Sequence, residues 1–247
     1  MGSTAIIIPA RYASSRLPGK PLLRETGKYL IQHVYERAAQ ARCASAVIVA
    51  TDDQRIADAV TSFGGQARMT RSDHPSGTDR VAEAARDLDA DLVINLQGDE
   101  PLIDPGHLDD LAELLGRSAD ADMATLATPI REPAAWHNPH AVKVVCNAAG
   151  QALYFSRSPI PWCSHPDFAC DPPLFCLHLG LYAYRREFLL RLTSTPPSRL
   201  EELEKLEQLR ALSLGAKILV GLVAAHSVGI DTPADYERFV DQCRRAA

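Results

Sequence analysis

The chain has 247 residues, of which 46% are apolar and 23% charged, and its formal net charge is −5. This length allows one large α/β domain or two smaller ones, and the composition is ordinary for a globular protein. The negative charge argues against nucleic acid as a partner, and no apolar run reaches the ~18 residues of a membrane helix. The N-terminus has no basic region typical of a signal peptide, so we expect a cytoplasmic protein.

The first half of the chain alternates between strand-like and helical patterns. Short apolar runs predict strands at 4–10, 46–52, 66–70 and 91–97. Apolar residues at helical spacing predict helices at 29–41, 54–64, 79–91 and 104–117. This alternation favours a parallel sheet with helices on both faces.

After about residue 120 the pattern changes to strands with short connections. Strands are predicted at 123–129, 141–147, 152–157, 177–185 and 217–223. A near-continuous helical stretch is predicted at 198–215, and a final helix begins at Pro233. We expect a mixed or antiparallel addition to the sheet, within one α/β fold that carries an inserted substrate-side subregion.

A basic loop follows the first strand, in PARYASSRLPGKPLL at 9–23. Its cations Arg11, Arg16 and Lys20 suit phosphate oxygens, because each makes charge-assisted hydrogen bonds. A Walker-type phosphate loop is excluded, since that pattern needs glycine where Ser14 stands and a hydroxyl where Pro21 stands. A different triphosphate loop and a basic loop that is merely solvated both remain open.

Two carboxylates are candidate Mg²⁺ ligands. Asp99 follows the strand in INLQGDEP, at the edge of a parallel sheet where ligands bind. Asp231 precedes a helix start in which Thr232 is the expected N-cap and Pro233 the first helical residue. Mg²⁺ takes one or two carboxylates together with phosphate oxygens and water. Ordinary capping by acidic residues is the alternative.

The cysteines give a weaker signal for zinc. Cys163, His165, Cys170, Cys176 and His178 lie close together in the sequence. Their spacings match none of the common paired-ligand signatures, and prolines separate them. We favour free thiols in a loop.

Several motifs along nearly the whole chain, from about 6 to 240, carry a family resemblance. They are RYASSRLPGKPL, MTRSDHPSGTDRVAE, NLQGDEP, NPHAVKVV, LYFSRSPIPW, HLGLYAY, LEKLEQLR and GIDTPAD. Together they closely resemble the 3-deoxy-D-manno-octulosonate (Kdo) cytidylyltransferases, or CMP-Kdo synthetases. The first motif is typical of sugar nucleotidyltransferases in general, whereas FSRSPIPW, HLGLYAY and LEQLR are more specific.

The resemblance implies a Rossmann-like, GT-A-like nucleotidyltransferase fold with a mixed sheet in three α/β/α layers. It implies a single domain, with a nucleotide-binding core at about 1–120 and 215–247 and a sugar-binding and dimerisation subregion at about 121–214. The implied reaction joins CTP and Kdo to give CMP-Kdo and pyrophosphate, with Mg²⁺, for lipopolysaccharide biosynthesis. A homodimer is also implied.

The resemblance further assigns residues to roles. The triphosphate loop matches Arg11, Ser14, Arg16 and Lys20, and the cytidine-binding stretch matches Arg71, Ser76 and Gly77. The metal carboxylates match Asp99 and Asp231, which with Arg11 and Lys20 form the catalytic set. The sugar-acid pocket matches Gln97, Arg157, His178, Tyr182, Glu207 and Gln208. The sequence departs from the family at Ser15, where threonine is frequent, and at 163–176, which is rich in Cys and Pro.

Physical chemistry supports some of the pocket assignments. The fork of Arg157 suits a sugar carboxylate because it binds two oxygens at once. His178 and Tyr182 are predicted to share one strand face. Glu207 and Gln208 rest on the resemblance alone. A cytidylyltransferase for sialic acid or 8-amino-Kdo, and a module that only senses nucleotide, are the alternative functions.

Overall fold

The computed structural model describes residues 2–13, 17–171, 173–224 and 229–246. The chain divides into two compact units, a terminal unit of Gly2–Asp109 with Ser227–Ala247 and a central unit of Asp110–His226. The strands are β1 (Thr4–Ala10), β2 (Ala44–Thr51), β3 (Gln66–Met69), β4 (Leu92–Asn95), β5 (Met123–Pro129), β6 (Lys143–Cys146), β7 (Ala152–Ser156), β8 (Cys176–Arg185) and β9 (Ile218–Leu222). The helices are α1 (Leu30–Ala38), α2 (Gln54–Ser62), α3 (Gly77–Ala85), α4 (Pro105–Gly116), α5 (Pro133–His137), α6 (Arg186–Ser194), α7 (Arg199–Glu204), α8 (Gln208–Ser213) and α9 (Pro233–Ala246).

The terminal unit contains a parallel sheet in the order β3–β2–β1–β4. Its central strand β1 has Ile6, Ile7 and Ile8 fully buried. A continuous apolar run of this kind is expected for a strand covered on both faces. The predicted parallel sheet is confirmed.

Helices of the terminal unit cover this sheet with their apolar faces. Leu30, Ile31 and Val34 of α1 are fully buried, and α1 packs on β1 and β2. Helix α3 packs mainly on β1 and buries Val81 and Ala84 completely. The apolar residues that recur at helical spacing in the sequence are therefore the residues that the helices bury against the sheet.

The strand order creates a natural binding edge beside β1. Strand β1 pairs with β2 on one side and with β4 on the other. The strands that follow β1 in the chain are therefore added first on one side of it and then on the other. Ligands of open α/β sheets bind beyond the carboxyl ends of the strands at such a reversal. The basic loop follows β1 and the Asp99 segment follows β4, at this edge.

The central unit contains mixed pairing. Strand β5 is antiparallel to β8 and parallel to β9, while β6 is antiparallel to β7 and β8. Trp136 and Phe175 pack edge to face at 5.5 Å in an apolar cluster, and Phe155 of β7 is fully buried. The mixed addition expected after residue 120 is confirmed.

The helical stretch predicted at 198–215 is helical but interrupted. The chain forms α7 and α8, separated at Lys205, whose φ of 55° is left-handed. Helix α7 begins with a capping box between Ser198 and Glu201. Leu206 then turns into the core, where it is 6% exposed. Burial of this leucine outweighs the helix propensity of the Glu- and Lys-rich stretch.

Helix α6 also lies outside the predicted elements. It follows β8 directly, from Arg186, and its buried face consists of Phe188, Leu189 and Leu192. The prediction of one domain with a core of about 1–120 and 215–247 stays a prediction. Among the described residues, no helix combines the length and apolarity that a bilayer crossing requires.

Candidate active site

A lysine lies between two carboxylates at the edge of the parallel sheet. Lys20 Nζ is 2.8 Å from Asp99 Oδ2 and 3.6 Å from Asp231 Oδ1. The lysine side chain is 13% exposed, whereas those of Asp99 and Asp231 are 30% and 48% exposed. Three of the four predicted catalytic residues therefore lie together, with the carboxylates still open to solvent.

Local backbone geometry places Lys20. Gly19 has a φ of 68°, in the left-handed region that glycine adopts without steric cost. A short 3-10 helix then begins at Lys20, and Leu22 N donates to Gly19 O at 2.8 Å. Pro21 suits the first turn of this helix because its missing N–H would be unsatisfied there.

Close backbone packing places Asp99. A Cβ added at Gly98 would lie 3.0 Å from the carbonyl oxygen of Pro9 at the end of β1. Glycine at 98 therefore allows the segment after β4 to approach β1 closely. Ile230 N donates to Asp99 O at 2.8 Å, which joins this segment to the one that carries Asp231.

The start of α9 places Asp231. The Asp235 carboxylate accepts hydrogen bonds from Asp231 N at 3.0 Å and Thr232 N at 2.7 Å, and Thr232 Oγ1 accepts from Asp235 N at 3.2 Å. The bond from the Thr232 side chain, with the two backbone bonds, lowers the pKa of Asp235. The turn thus fixes the backbone of Asp231 and leaves its carboxylate near Lys20.

A cleft of about 140 Å³ lies in the terminal unit, and its lining includes Gln97, two residues before Asp99. Four of the predicted residues line it: Arg11, Ser76, Gly77 and Gln97. Ser76 caps α3, since its Oγ accepts from Asp79 N at 3.2 Å. The cleft is therefore lined by the N-terminus of a helix, where the backbone dipoles favour negative charge. Gln97 was predicted for the sugar-acid pocket, and it lies here.

The sequence reasoning missed two other residues of this cleft, His74 and Arg80. Arg80 is 4% exposed and donates to Thr70 Oγ1 and to Arg71 O, and its guanidinium lies 3.3 Å from Asp52. His74 Nε2 contacts the Glu83 carboxylate, which also accepts from Arg71 N at 3.3 Å.

The sequence contains one signal that could have identified Arg80 as buried. It is a charged residue on the apolar face of an amphipathic helix, next to Val81 and four residues before Ala84. The predicted residue Arg71 itself is exposed and lies 3.1 Å from Asp73. Two predicted residues of the basic loop, Ser14 and Arg16, lie outside the described residues.

The central unit brings His178 and Tyr182 together. Their ring centroids are 5.3 Å apart, which confirms that they share a face of β8. Burial lowers the pKa of His178 to about 3. Burial also raises the pKa of Tyr182, and the charges of Tyr184 and Glu207 add to this increase. Both side chains are therefore neutral hydrogen-bonding groups at neutral pH.

Arg157 makes contacts that the sequence did not predict. Its guanidinium donates to three backbone carbonyls, Glu204 O at 2.8 Å, Pro139 O at 3.1 Å and Lys205 O at 3.5 Å. Two of these carbonyls belong to the end of α7, at the break before Glu207. Arg157 therefore stabilises that break in this structure.

A buried network supports the same region. The Glu204 carboxylate accepts from Ser156 Oγ at 2.6 Å and from Arg157 N at 2.9 Å. Lys143 has no exposed surface, and its ammonium donates to Arg157 O at 2.6 Å and to two other carbonyls. Burial lowers the pKa of Lys143, while the nearby Glu204 raises it and Arg157 lowers it.

Gln208 provides an unpaired donor in the central unit. It is 4% exposed, and its Nε2 has no hydrogen-bond partner among the described residues. A buried amide without a partner is costly, so such a group is explained when a ligand completes its bonds. Glu207 immediately precedes it at the start of α8 and is close enough to Tyr182 to raise its pKa.

Comparison with known families gives a match over most of the chain. The family described as "Cytidylyltransferase" matches residues 5–218. A protein of Syntrophobacter fumaroxidans is 54% identical over 237 residues, which are 95% of this chain and 94% of that protein. A protein of Geobacter sulfurreducens is 49% identical and covers 99% of this chain and 100% of that protein. Both carry the name 3-deoxy-manno-octulosonate cytidylyltransferase.

Solved structures show the same fold. The structure of CMP:2-keto-3-deoxy-manno-octonic acid synthetase complexed with CTP has a TM-score of 0.92 and 46% identity, and the match covers 99% of each chain. A cytidylyltransferase from Leptospira borgpetersenii has a TM-score of 0.62 at 20% identity, covering 96% of this chain and 85% of that one. The second likeness shows the fold alone. The α/β nucleotidyltransferase fold expected from the sequence is confirmed.

Proposed function

The chain belongs to the cytidylyltransferase family, and from this premise we propose that it joins CTP and Kdo to give CMP-Kdo and pyrophosphate. It is a nucleotidyltransferase, and its relatives at about 50% identity are named for this sugar acid. The similar structure complexed with CTP supports the choice of nucleotide. The observation that carries the proposal is the position of Lys20 between the carboxylates of Asp99 and Asp231.

The cleft in the terminal unit is the proposed CTP site. Ser76, Gly77 and Arg71 belong to the segment proposed to bind the cytidine, and the N-terminus of α3 suits a negatively charged ligand. Arg11 lines the cleft, and Lys20 lies at the same sheet edge. Together with Ser14 and Arg16, these cations would bind the triphosphate.

Asp99 and Asp231 fit a divalent cation. Both carboxylates already lie within 4 Å of one positive charge, that of Lys20, and both keep exposed surface for further ligands. Two carboxylates with substrate oxygens are the donor set that Mg²⁺ prefers. When bound, Mg²⁺ would polarise the α-phosphate and lower the pKa of the attacking hydroxyl.

The residues of the chain have distinct tasks in the transfer. The anomeric oxygen of the sugar attacks the α-phosphorus of CTP, the bond between that phosphorus and the oxygen bridging to the β-phosphorus breaks, pyrophosphate leaves with that oxygen, and the hydroxyl proton passes to solvent. Arg11, Arg16 and Lys20 would neutralise the charge that grows on pyrophosphate. Each well-aimed contact of this kind stabilises the transition state by ~3–4 kcal/mol. Positioning of both substrates supplies much of the remaining acceleration.

The central unit is the proposed acceptor-binding part. The buried Gln208 Nε2 is a donor without a partner among the described residues, and a sugar oxygen would complete its bond. Tyr182 lies near both His178 and Glu207, and the neutral rings of Tyr182 and His178 suit sugar hydroxyls. Arg157 is the proposed partner of the sugar carboxylate. To bind it, the guanidinium must give up some of its hydrogen bonds to backbone carbonyls and donate to the carboxylate instead.

The cellular setting follows from the same proposal. CMP-Kdo would serve lipopolysaccharide assembly, and we place the enzyme in the cytoplasm, where CTP is made. A homodimer is supported by two exposed leucines on one face of α7, Leu200 at 45% and Leu203 at 72% exposure. Such side chains are typical of surfaces that a second copy covers.

The test is a pyrophosphate-release assay with CTP, Mg²⁺ and a panel of sugar acids. We expect Kdo to give the highest kcat/KM, with 8-amino-Kdo and sialic acid as the competing acceptors. A higher kcat/KM with either competitor would reassign the acceptor and leave the cytidylyl transfer intact. Binding of CTP without pyrophosphate release from any acceptor would favour a nucleotide-sensing module instead.

A further inference from the structure

The hydroxyl of Thr125 has three polar neighbours in the central unit. Its Oγ1 lies 2.8 Å from Leu181 O, 3.2 Å from Leu179 O and 3.0 Å from His178 Nε2. Thr125 has no exposed surface, so water does not compete for these bonds. This one buried hydroxyl therefore has three protein partners.

The proton count at Thr125 decides the tautomer of His178. A hydroxyl donates one hydrogen and accepts two, while a carbonyl oxygen only accepts. The 2.8 Å contact between Thr125 Oγ1 and Leu181 O needs a hydrogen between the two oxygens, and only the threonine has one. The hydroxyl hydrogen is thus donated to Leu181 O. Thr125 Oγ1 can then only accept from His178 Nε2, so Nε2 must be protonated. In a neutral ring, Nδ1 is then an unprotonated acceptor.

We infer that Thr125 is a positioning residue that holds His178 in the tautomer with its proton on Nε2, so that Nδ1 accepts a hydrogen bond from a hydroxyl of the acceptor sugar. This inference rests on the proposed function for the identity of the acceptor. Nδ1 has no hydrogen-bond partner among the described residues, and His178 keeps 8% of its surface exposed.

An irregularity in the sheet makes the arrangement possible. Thr125 is opposite Tyr182 and Leu126 is opposite Leu179, so β8 contains extra residues at this point. The bulge brings the carbonyls of Leu179 and Leu181 to the same hydroxyl. Bulges redirect side chains in this way and are frequent beside active sites.

The surroundings of the ring favour its neutral form. Phe155 and Tyr182 contact the imidazole with centroid separations of 5.0 and 5.3 Å, and burial lowers the pKa of His178 to about 3. A neutral ring that presents a lone pair cannot pair with a sugar carboxylate, because a carboxylate also only accepts. His178 therefore selects a hydroxyl, and the carboxylate must bind elsewhere.

The first test is NMR of the full chain labelled with nitrogen-15 histidine, without substrate, at neutral pH. The His178 signals are assigned by their absence in His178→Gln. We expect a protonated Nε2 and an unprotonated Nδ1 in the wild type and in Thr125→Ser, which keeps the hydroxyl. In Thr125→Val the proton should redistribute toward Nδ1, because Nε2 loses its acceptor.

The second test is kinetic. Thr125→Val should raise KM for Kdo about tenfold, with KM for CTP unchanged, because a mispositioned proton removes one sugar hydrogen bond. Thr125→Ser should restore KM. Thr128→Val is the matched control, since Thr128 is also buried in β5 but donates to Ala224 O and makes no bond to His178.

Each outcome decides the matter. A wild-type His178 that carries its proton on Nδ1, or on both nitrogens, overturns the inference, as does an unchanged KM for Kdo in Thr125→Val. If Thr125→Val does not fold, the wild-type and Thr125→Ser spectra still decide the tautomer. A wild type that does not use Kdo contradicts the proposed function but leaves the NMR result valid.

Discussion

Lys20 and Asp99 form an ion pair at 2.8 Å that joins the loop after β1 to the segment after β4. The two residues are 79 positions apart in the chain, and their segments follow two neighbouring parallel strands, β1 and β4. The ion pair therefore brings the cation proposed to bind phosphate and the carboxylate proposed to bind Mg²⁺ to one edge of the sheet. The same lysine contacts Asp231 at 3.6 Å.

Replacement of either carboxylate should abolish most of the activity. Asp99→Asn and Asp231→Asn should each lower kcat more than about 100-fold with Mg²⁺ present, because each removes a charged ligand of the same cation. The measurement is pyrophosphate release at saturating CTP and Kdo, with circular dichroism to verify folding. Asp104→Asn is the control, since Asp104 is exposed and its carboxylate accepts from Gly106 N, away from Lys20. Near-normal turnover of Asp231→Asn would remove that residue from the metal site.

The nucleotide should be selected strongly. CTP should be used at least about 100-fold better than ATP or GTP, because a site shaped for one base leaves polar groups unpaired with another. Competing nucleotides at equal concentration, followed by product analysis, give the ratio of kcat/KM values. Equal turnover of CTP and ATP would contradict the cytidine assignment of Arg71, Ser76 and Gly77, while leaving the transfer chemistry intact.

Arg157 should affect the acceptor and not the nucleotide. Arg157→Lys keeps the charge but loses the fork, so kcat/KM for Kdo should fall at least about tenfold, and Arg157→Ala should be worse. Calorimetric affinity for CTP should stay the same. Since Arg157 also bonds to Glu204 O and Pro139 O, urea denaturation is needed to measure stability. An equal loss for CTP and Kdo would mean that the residue serves the fold.

A buried ion pair in the central unit should matter for stability. Arg210 Nε lies 2.8 Å from a Glu201 oxygen, and both side chains are at most 10% exposed. Arg210→Met leaves a buried carboxylate without its partner and should lower the free energy of unfolding by about 3–5 kcal/mol. Arg244→Met removes the exposed pair with Asp241 and should change it by less than about 1 kcal/mol. Urea denaturation measures the free energy of unfolding of both variants. Equal losses in Arg210→Met and Arg244→Met would contradict a larger contribution from the buried pair.

The buried His178 should make stability fall in acid. Its folded pKa, about 3, lies below the ordinary value of 6.5, so between these pH values the unfolded chain binds the extra proton. Its contribution is thus fully present above pH 6.5 and is lost as the pH falls toward 3, at up to about 1.4 kcal/mol per pH unit. His178→Gln should reduce this slope in urea titrations, and His140→Gln, at an exposed site, should not. An unchanged slope in His178→Gln would show that the imidazole is not buried in its neutral form.

The sequence by itself determined the alternating strands and helices of the terminal unit and named the residues proposed for its site. The isoleucines of β1 and the helical periods of α1 and α3 are local signals, and local signals suffice for alternating strands and helices. Because parallel strands end at one edge, the order of the elements explains why the basic loop and the Asp99 segment, which follow two different strands, lie near each other. The family resemblance added the acceptor and its pocket, which periodicity does not contain.

Only the tertiary structure decided the arrangement of the remaining groups. The break at Lys205 depends on burial of Leu206, which outweighs the helix propensity of its neighbours. Arg157 bonds to carbonyls from distant segments, so its contacts do not follow from its position at a strand end. The proton of His178 depends on Thr125, which a bulge brings beside it from 53 residues away. Such contacts arise from packing between elements, and a one-dimensional pattern of residues carries no information about which donors and acceptors that packing pairs.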